Sequence, residues 1–476
     1  MEQNPLQLDK REMRKLGYQI IDQLVEHYSQ LPNKSVFNSS SPEQLQLLLE
    51  ESIPYEGSNY EIVLDQLNKN VLNHITFSSH PRFFAFVPSP SNFIGVVADL
   101  LAKGYNIFNG AWHESAGAAQ IEKITIDWFR QIFGMPITAG GLFLSGGSMA
   151  NLTASFLAKE IKLSNEEKHG TIYYSDQTHS SVFRALRMLG FQERQIRIIR
   201  SDHQFEINLE HLVQMIEKDK KDGMKPFLIV GNVGSTNTGS IDPICDLLQI
   251  SKYYDLWLHV DGAIGAATIL DDRIKHRLKS IGQVDSITFD PHKWWFQPYG
   301  IGGLLVKNIT QLEKTFQLLP EYLDDSKTKG REINFYNYGP ELSRPFRALK
   351  VWFSFQVFGL NAFKEAVQHG VNMARYCQQI VDNMPQWEIV SPAYTCIINF
   401  RYVPQGMTEA AINHINKQIS QRIIESGWAM IRTTTLKCQR VLRLCPINPR
   451  VTREEIELTF HKLDKIAKDI CKSNID

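Results

Sequence analysis

Leu142-Phe-Leu-Ser-Gly-Gly-Ser-Met-Ala-Asn151 is the stretch on which the fold turns. Its apolar start suits a buried strand, its two glycines turn the chain, and residues 148–163 continue with helical spacing. Thr171-Ile-Tyr-Tyr174 then reads as a second strand and residues 179–188 as a second helix. The alternation goes on, with short apolar runs at 227–233, 256–260, 286–289 and 302–306. Strands separated by helices predict a mainly parallel sheet covered on both faces. Ligands of such sheets gather at the carboxyl ends of the strands.

Outward from this core the pattern changes. Leu8, Met13, Leu16, Ile20, Ile21, Leu24, Val25, Tyr28 and Leu31 follow a helical period, so the chain begins with an amphipathic helix. Its stripe has to be buried by a partner subunit or by the body of the chain. Ser41-Pro42-Glu43-Gln44 reads as a helix start with a capping box. Residues 324–340 are polar and weakly periodic, either a surface lid or an inert connection. Residues 349–358 are helical again, and beyond about 370 come helices and a strand pair at 396–402 and 441–445, a small α+β domain.

Composition removes several function classes. The chain has 476 residues, with 51 Lys+Arg against 51 Asp+Glu. That balance lacks the basic excess of a nucleic-acid binder, and no apolar run approaches membrane-spanning length. The start, Met1-Glu2-Gln3-Asn4-Pro5, has no secretory pattern. Six dispersed cysteines without CxxC spacing suit reduced thiols, not bridges or a metal site. The expectation is a cytoplasmic globular enzyme, without nucleic-acid or membrane partners and without a metal.

The strand ends carry the chemistry. Ser286-Ile-Thr-Phe-Asp-Pro-His-Lys-Trp-Trp295 places Lys293 beside His292 and among aromatics, where desolvation makes an amine nucleophilic. Taken alone, Lys293 is more simply a surface lysine packed on tryptophan. Leu256-Trp-Leu-His-Val-Asp261 runs an apolar strand into an acid that needs a cation: a lysine, an arginine or a protonated pyridine nitrogen. Gly146, Gly147 and Ser148 would aim amides and a hydroxyl at an anion, in a turn that is neither GxGxxG nor a Walker loop. His179 and Ser180 open another helix, where a histidine is ordinarily a cap, and Gly231-Asn-Val-Gly-Ser-Thr236 adds hydroxyls that a plain turn also explains. One cofactor uses the lysine, the acid, the anion turn and a stacking histidine together: pyridoxal phosphate.

With these residues assembled, the sequence resembles the group II pyridoxal-phosphate decarboxylases, in particular their aromatic-L-amino-acid branch. The matching motifs are Asp290-Pro-His-Lys-Trp294, His259-Val-Asp-Gly-Ala263, Ser175-Asp-Gln-Thr-His-Ser-Ser181, Gly146-Gly-Ser148 and His80-Pro-Arg-Phe-Phe-Ala85. The resemblance implies a fold-type I enzyme: a seven-stranded, mainly parallel sheet sandwiched by helices. It divides the chain into an N-terminal helical, dimer-forming segment (1–88), a large cofactor domain (89–365) and a small C-terminal α+β domain (366–476). It implies a homodimer with active sites near the interface. By position, Lys293 would hold the cofactor as a Schiff base, Asp261 its ring nitrogen, and Gly147, Ser148 and Asp290 its phosphate. His179 would stack on the ring, Thr236 would approach the ring hydroxyl, and His292 and Ala263 would flank the site. Phe86, Val87, Pro88 and Trp112, with His179, fall where relatives bind the substrate side chain.

The implied reaction turns aromatic L-amino acids (phenylalanine, tyrosine, tryptophan or dihydroxyphenylalanine) into amines and carbon dioxide. Three departures stand out. Gly262 replaces a usual alanine and would loosen the cofactor face, and Gly110 aligns with an aromatic and would widen the pocket. Phe335 stands at the lid tyrosine thought to protonate Cα, with Tyr336 and Tyr338 as substitute donors in a shifted register. A phenylalanine there accompanies aldehyde synthesis in plant relatives, so an aromatic aldehyde synthase is an alternative. Decarboxylation of glutamate or 2,4-diaminobutyrate is another: Arg82 could serve glutamate, while Phe83, Phe84, Phe86 and Trp112 suggest an apolar lining. An inactive binding relative is disfavoured by the full set of Lys293, Asp261 and His179.

Overall fold

Seven strands build the central sheet: β1 (Gly140–Leu144), β2 (Gly170–Ser175), β3 (Ile196–Ile199), β4 (Lys225–Asn232), β5 (Trp257–Asp261), β6 (Ser286–Phe289) and β7 (Gly302–Val306). The computed structural model describes residues 6–38, 40–164, 167–317 and 332–473. The strand order is β1-β7-β6-β5-β4-β2-β3. β7 runs antiparallel to both β1 and β6, and the other pairings are parallel. Two reversals restore direction, so β1 points the same way as β6 and its carboxyl end shares their edge.

Alternation along each strand divides the interior between two faces. Leu142, Leu144, Ile172, Val230 and Leu304 pack under the helices Gly147–Lys162 and Ser180–Met188. Phe143, Tyr173, Ile229, Leu258 and Leu305 face the helices Trp112–Ile132, Leu209–Lys221 and Ile244–Tyr253. Phe129 and Phe289 lock the second layer, with ring centroids 4.3 Å apart. Six of the strands are the apolar runs of the sequence. The seventh, β3, is an edge strand of four residues with Arg197 in it and only its ends buried, too short and too mixed to stand out as a run.

A second sheet comprises β8 (Trp387–Ser391), β9 (Ile398–Tyr402), β10 (Arg432–Leu436) and β11 (Gln439–Leu444), all antiparallel, in the order β10-β11-β9-β8. The expected strand pair is its centre, β9 beside β11. Helices Glu409–Glu425 and Arg453–Ser473 cover it, burying Ile415, Ile419, Phe460 and Leu463. One helix, Ala348–Asp382, runs between the two cores and kinks at Gly359, whose φ of 72° suits glycine.

The N-terminal helix Lys10–Gln30 has an Asp9/Glu12 capping box, and the Ser41/Gln44 box starts Pro42–Leu49 as expected. No residue of Lys10–Gln30 is buried, and Met13, Tyr18, Ile20 and Val25 are exposed. Within one chain the apolar stripe is therefore only partly covered, with Leu16, Ile21, Leu24 and Tyr28 half-buried. Of the polar stretch 324–340, residues 324–331 lie outside the described residues. The rest is not a surface lid: Ile333 and Phe335 pack on the Leu142 face of the sheet, and Phe335 lies 5.0 Å from the Arg344 guanidinium. Among the described residues no helix is long and apolar enough to cross a membrane. All six cysteines are free thiols.

Candidate active site

The carboxyl edge of the sheet opens into a cavity of about 380 Å³. Lys293, Asp261, His179, Gly147, Ser148, Thr236, Asp290, His292 and Ala263 all line it. They come from five different strand ends, and the common direction of β1, β2, β4, β5 and β6 brings them together.

Asp261 closes β5 and is nearly buried. Its Oδ1 accepts from the Ala263 amide at 3.1 Å and its Oδ2 from the Asn151 side-chain amide at 2.9 Å. Both donors are neutral, so a cationic partner in the cavity would complete the site. Lys293 sits on the turn after β6, its Nζ 2.8 Å from Asp290 Oδ2. The Asp290 carboxylate is buried, and its Oδ1 has no hydrogen-bond partner. Asp290 is thus the ion-pair partner of Lys293.

The anion turn has the expected form. Gly147 opens a helix of 16 residues whose first amides take no side-chain cap, leaving them for an anion. A Cβ on Gly147 would stand 2.7 Å from Asp290 Oδ2, so only glycine lets these two segments approach. His179 caps its own helix, its Nδ1 accepting from the Ser181 amide at 3.2 Å, and burial lowers its pKa and keeps the imidazole neutral. His292 donates from Nδ1 to the Ile301 carbonyl and is likewise held neutral by burial. Thr236 rides on a loop that Gly234 (φ 77°) turns against the backbone of Gly265.

The other expected residues lie outside this cavity. Phe86 is exposed, Val87 is half-buried and Pro88 is buried; next to them Ser89 Oγ donates to the His292 carbonyl at 2.5 Å. Trp112, Tyr336 and Tyr338 form a separate group. The Trp112 amide donates to Asn334 Oδ1 at 2.8 Å and the Tyr336 amide to the Gly110 carbonyl at 3.1 Å. Tyr338 is half-buried beside Phe335, with ring centroids 6.2 Å apart. The two tyrosines expected to donate a proton thus pack beside Gly110 and Phe335, and neither lines the Lys293 cavity. Two further expectations change. A Cβ on Gly110 would lie 2.4 Å from the Phe108 ring, and one on Gly262 2.7 Å from Ala266 Cβ, so both glycines permit tight packing and do not loosen it. Arg82 is committed elsewhere, to Glu455 at 3.0 Å and over the Trp428 ring at 4.3 Å.

Arg443 on β11 had gone unmarked. It is buried, donates from Nε to the Thr236 carbonyl at 2.8 Å and from Nη1 to the Phe86 carbonyl, and so ties the Thr236 loop to segment 86–88. Its signal was an arginine inside the apolar run Val441-Leu-Arg-Leu444, where a buried charge requires partners. Asn151 and Ser181 were also missed.

A family model described as the pyridoxal-dependent decarboxylase conserved domain matches residues 42–403. The aromatic-L-amino-acid decarboxylase of Bacillus atrophaeus is 46% identical over 467 residues, covering 98% of this chain and 97% of that protein. Among solved structures, Oryza sativa TDC with PLP and tryptamine superposes with a TM-score of 0.93 at 24% identity, covering 98% of this chain and 99% of that one. Catharanthus roseus tryptophan decarboxylase in complex with L-tryptophan gives 0.90 at 23% identity, covering 98% and 100%. These two likenesses establish the fold.

Proposed function

The chain belongs to the pyridoxal-dependent decarboxylase family, and from that premise we propose that it converts aromatic L-amino acids to their amines and carbon dioxide. The observation that carries this is the convergence of Lys293, Asp261 and the Gly147 turn on one cavity, together with the 46% identity to a protein named for that activity.

Bound pyridoxal phosphate supplies the electron sink that accepts the pair left by departing carbon dioxide. In this reading Lys293, whose Nζ lies 2.8 Å from Asp290 Oδ2, would anchor the cofactor covalently. Asp261 would hold the ring nitrogen, and the amides of Gly147 and Ser148 would hold the phosphate. Thr236 would stand by the ring hydroxyl, and neutral His179 would offer a flat face to the ring and substrate. These groups orient the reacting bond and exclude water, which is how a protein contributes most to cofactor chemistry.

The same reading makes the enzyme a cytoplasmic homodimer, with residues 1–88 as the dimer-forming segment, 89–365 as the cofactor domain and 366–476 as the small domain. The exposed Met13, Ile20 and Val25 of helix Lys10–Gln30 support a second copy. Phe86, Val87, Pro88 and Trp112 would then meet the substrate ring near the interface.

The test is a product screen with added cofactor over aromatic amino acids, following amine, carbon dioxide and peroxide. Equal amine and carbon dioxide without peroxide is expected; ammonia with peroxide would instead establish an aldehyde synthase. Lys293→Ala should abolish the visible absorbance of the bound cofactor, and its persistence would remove Lys293 from the anchor role.

A further inference from the structure

Behind Asp261 lies a chain of hydrogen bonds whose directions are all determined by its two ends. Trp257 Nε1, which can only donate, reaches Ser286 Oγ at 2.9 Å, and Ser286 Oγ lies 2.8 Å from His259 Nδ1. At the other end the Asp261 carboxylate can only accept, so Asn151 must present its Nδ2 to Oδ2, at 2.9 Å. Asn151 Oδ1 is then an acceptor, and the contact with His259 Nε2 at 3.0 Å requires the proton on Nε2. His259 is fully buried, and burial pushes its pKa down to about 4, so it is neutral with one proton to place. Nδ1 is accordingly bare and takes the Ser286 hydroxyl proton. Every donor in the chain points toward Asp261.

Asn151 also has a second amide hydrogen, directed to Ser181 Oγ at 3.0 Å. Ser181 Oγ is thereby left to donate to His179 Nδ1, 2.8 Å away, which the Ser181 amide already approaches. The proton of His179 is placed on Nε2. One side chain therefore governs both groups expected to face the cofactor.

We propose that Asn151, backed by His259, is the positioning residue of this site: it orients the Asp261 carboxylate as an acceptor from its own amide and, through Ser181, holds His179 in the Nε2–H tautomer. The inference deepens the cofactor reading above and rests on it.

The test compares full-length Asn151→Ala, His259→Leu and His259→Gln by titration with pyridoxal phosphate, by the absorbance of the bound cofactor, and by kcat and KM. Asn151→Ala should raise the cofactor Kd and lower kcat by roughly ten- to a hundredfold each, with KM nearly unchanged and a shifted absorbance maximum. His259→Leu should resemble it. His259→Gln retains a donor where Nε2 stands and should restore most of the affinity. In an Asp261→Asn background, adding Asn151→Ala should change Kd and absorbance much less than it does in the wild type, because only the Ser181–His179 arm is then left to lose. Multiplicative losses in that background, or a Kd and spectrum unchanged in Asn151→Ala, would overturn the proposal. Should Asn151→Ala not fold, the contrast between His259→Leu and His259→Gln decides alone, and equal behaviour of the two overturns it. Failure of the wild-type chain to bind pyridoxal phosphate would instead overturn the cofactor reading on which this rests.

Discussion

Replacing Glu122 by alanine removes the counter-ion of Arg344 in a place that water does not reach. The two side chains are 0% and 1% exposed, with Arg344 Nη2 2.6 Å from Glu122 Oε1. The same carboxylate accepts from the Phe143 amide at 2.9 Å and from Asn109 Nδ2 at 2.6 Å. Glu122→Ala thus strands one buried cation and two further donors. Breaking one side of a buried pair costs about 3–5 kcal/mol, since the surviving charge stays desolvated, and the orphaned donors favour the upper end. Glu122→Gln should cost about half of that: Asn109 Oδ1 has no partner, so its amide can turn to accept from the new one. Glu122→Met combined with Arg344→Met should be less destabilising than Glu122→Ala alone, because no charge is left behind. The assay is urea unfolding of each variant, read as a shift in midpoint at constant slope. A loss below about 1 kcal/mol for Glu122→Ala, or a double variant worse than either single, would refute the reasoning. Arg344 also donates to the Asn109 and Phe143 carbonyls at 2.9 and 2.8 Å. The turn Phe335–Tyr338 packed beside it should therefore become sensitive to protease in Glu122→Ala.

Gly147→Ala forces a Cβ to 2.7 Å from Asp290 Oδ2, so it should weaken pyridoxal phosphate binding at least tenfold, on the order of one lost charge-assisted hydrogen bond; an unchanged Kd by titration would refute this. Burial holds His259 near 4 against an ordinary 6.5, so its contribution to stability is present above 6.5 and is lost as pH falls from there through 4. That loss amounts to about 3 kcal/mol, visible as a fall in melting temperature that flattens in His259→Gln. Asp242, raised by burial to about 6, acts oppositely: its contribution is present below 3.8 and is lost as pH rises through 6. Asp242→Asn should therefore steepen the acid loss. Phe335→Tyr adds a hydroxyl to a ring that is 1% exposed and lies under Arg344, so it should cost about 1–3 kcal/mol and leave the ratio of amine to peroxide unchanged. A changed ratio would place this side chain at the reacting centre.

Much of this protein was legible along the chain because the decisive signals are local. A run such as Leu142-Phe-Leu followed by two glycines and a helix is strand, turn and helix whatever surrounds it, and Asp261, His179 and Lys293 stand out because each ends or follows such a run. Six of seven central strands and the Ser41/Gln44 capping box follow from periods and caps of that kind. What the chain alone could not decide is which distant groups meet. Asn151 reaches Asp261 across 110 positions and Arg443 reaches Thr236 across 207. The two reversals around β7 align the carboxyl ends at one cavity, and Phe335 is buried under the Arg344 guanidinium. Periodicity reports which face of an element is apolar. Register, strand order and the pairing of buried charges depend on contacts between elements, and only the folded chain determines those.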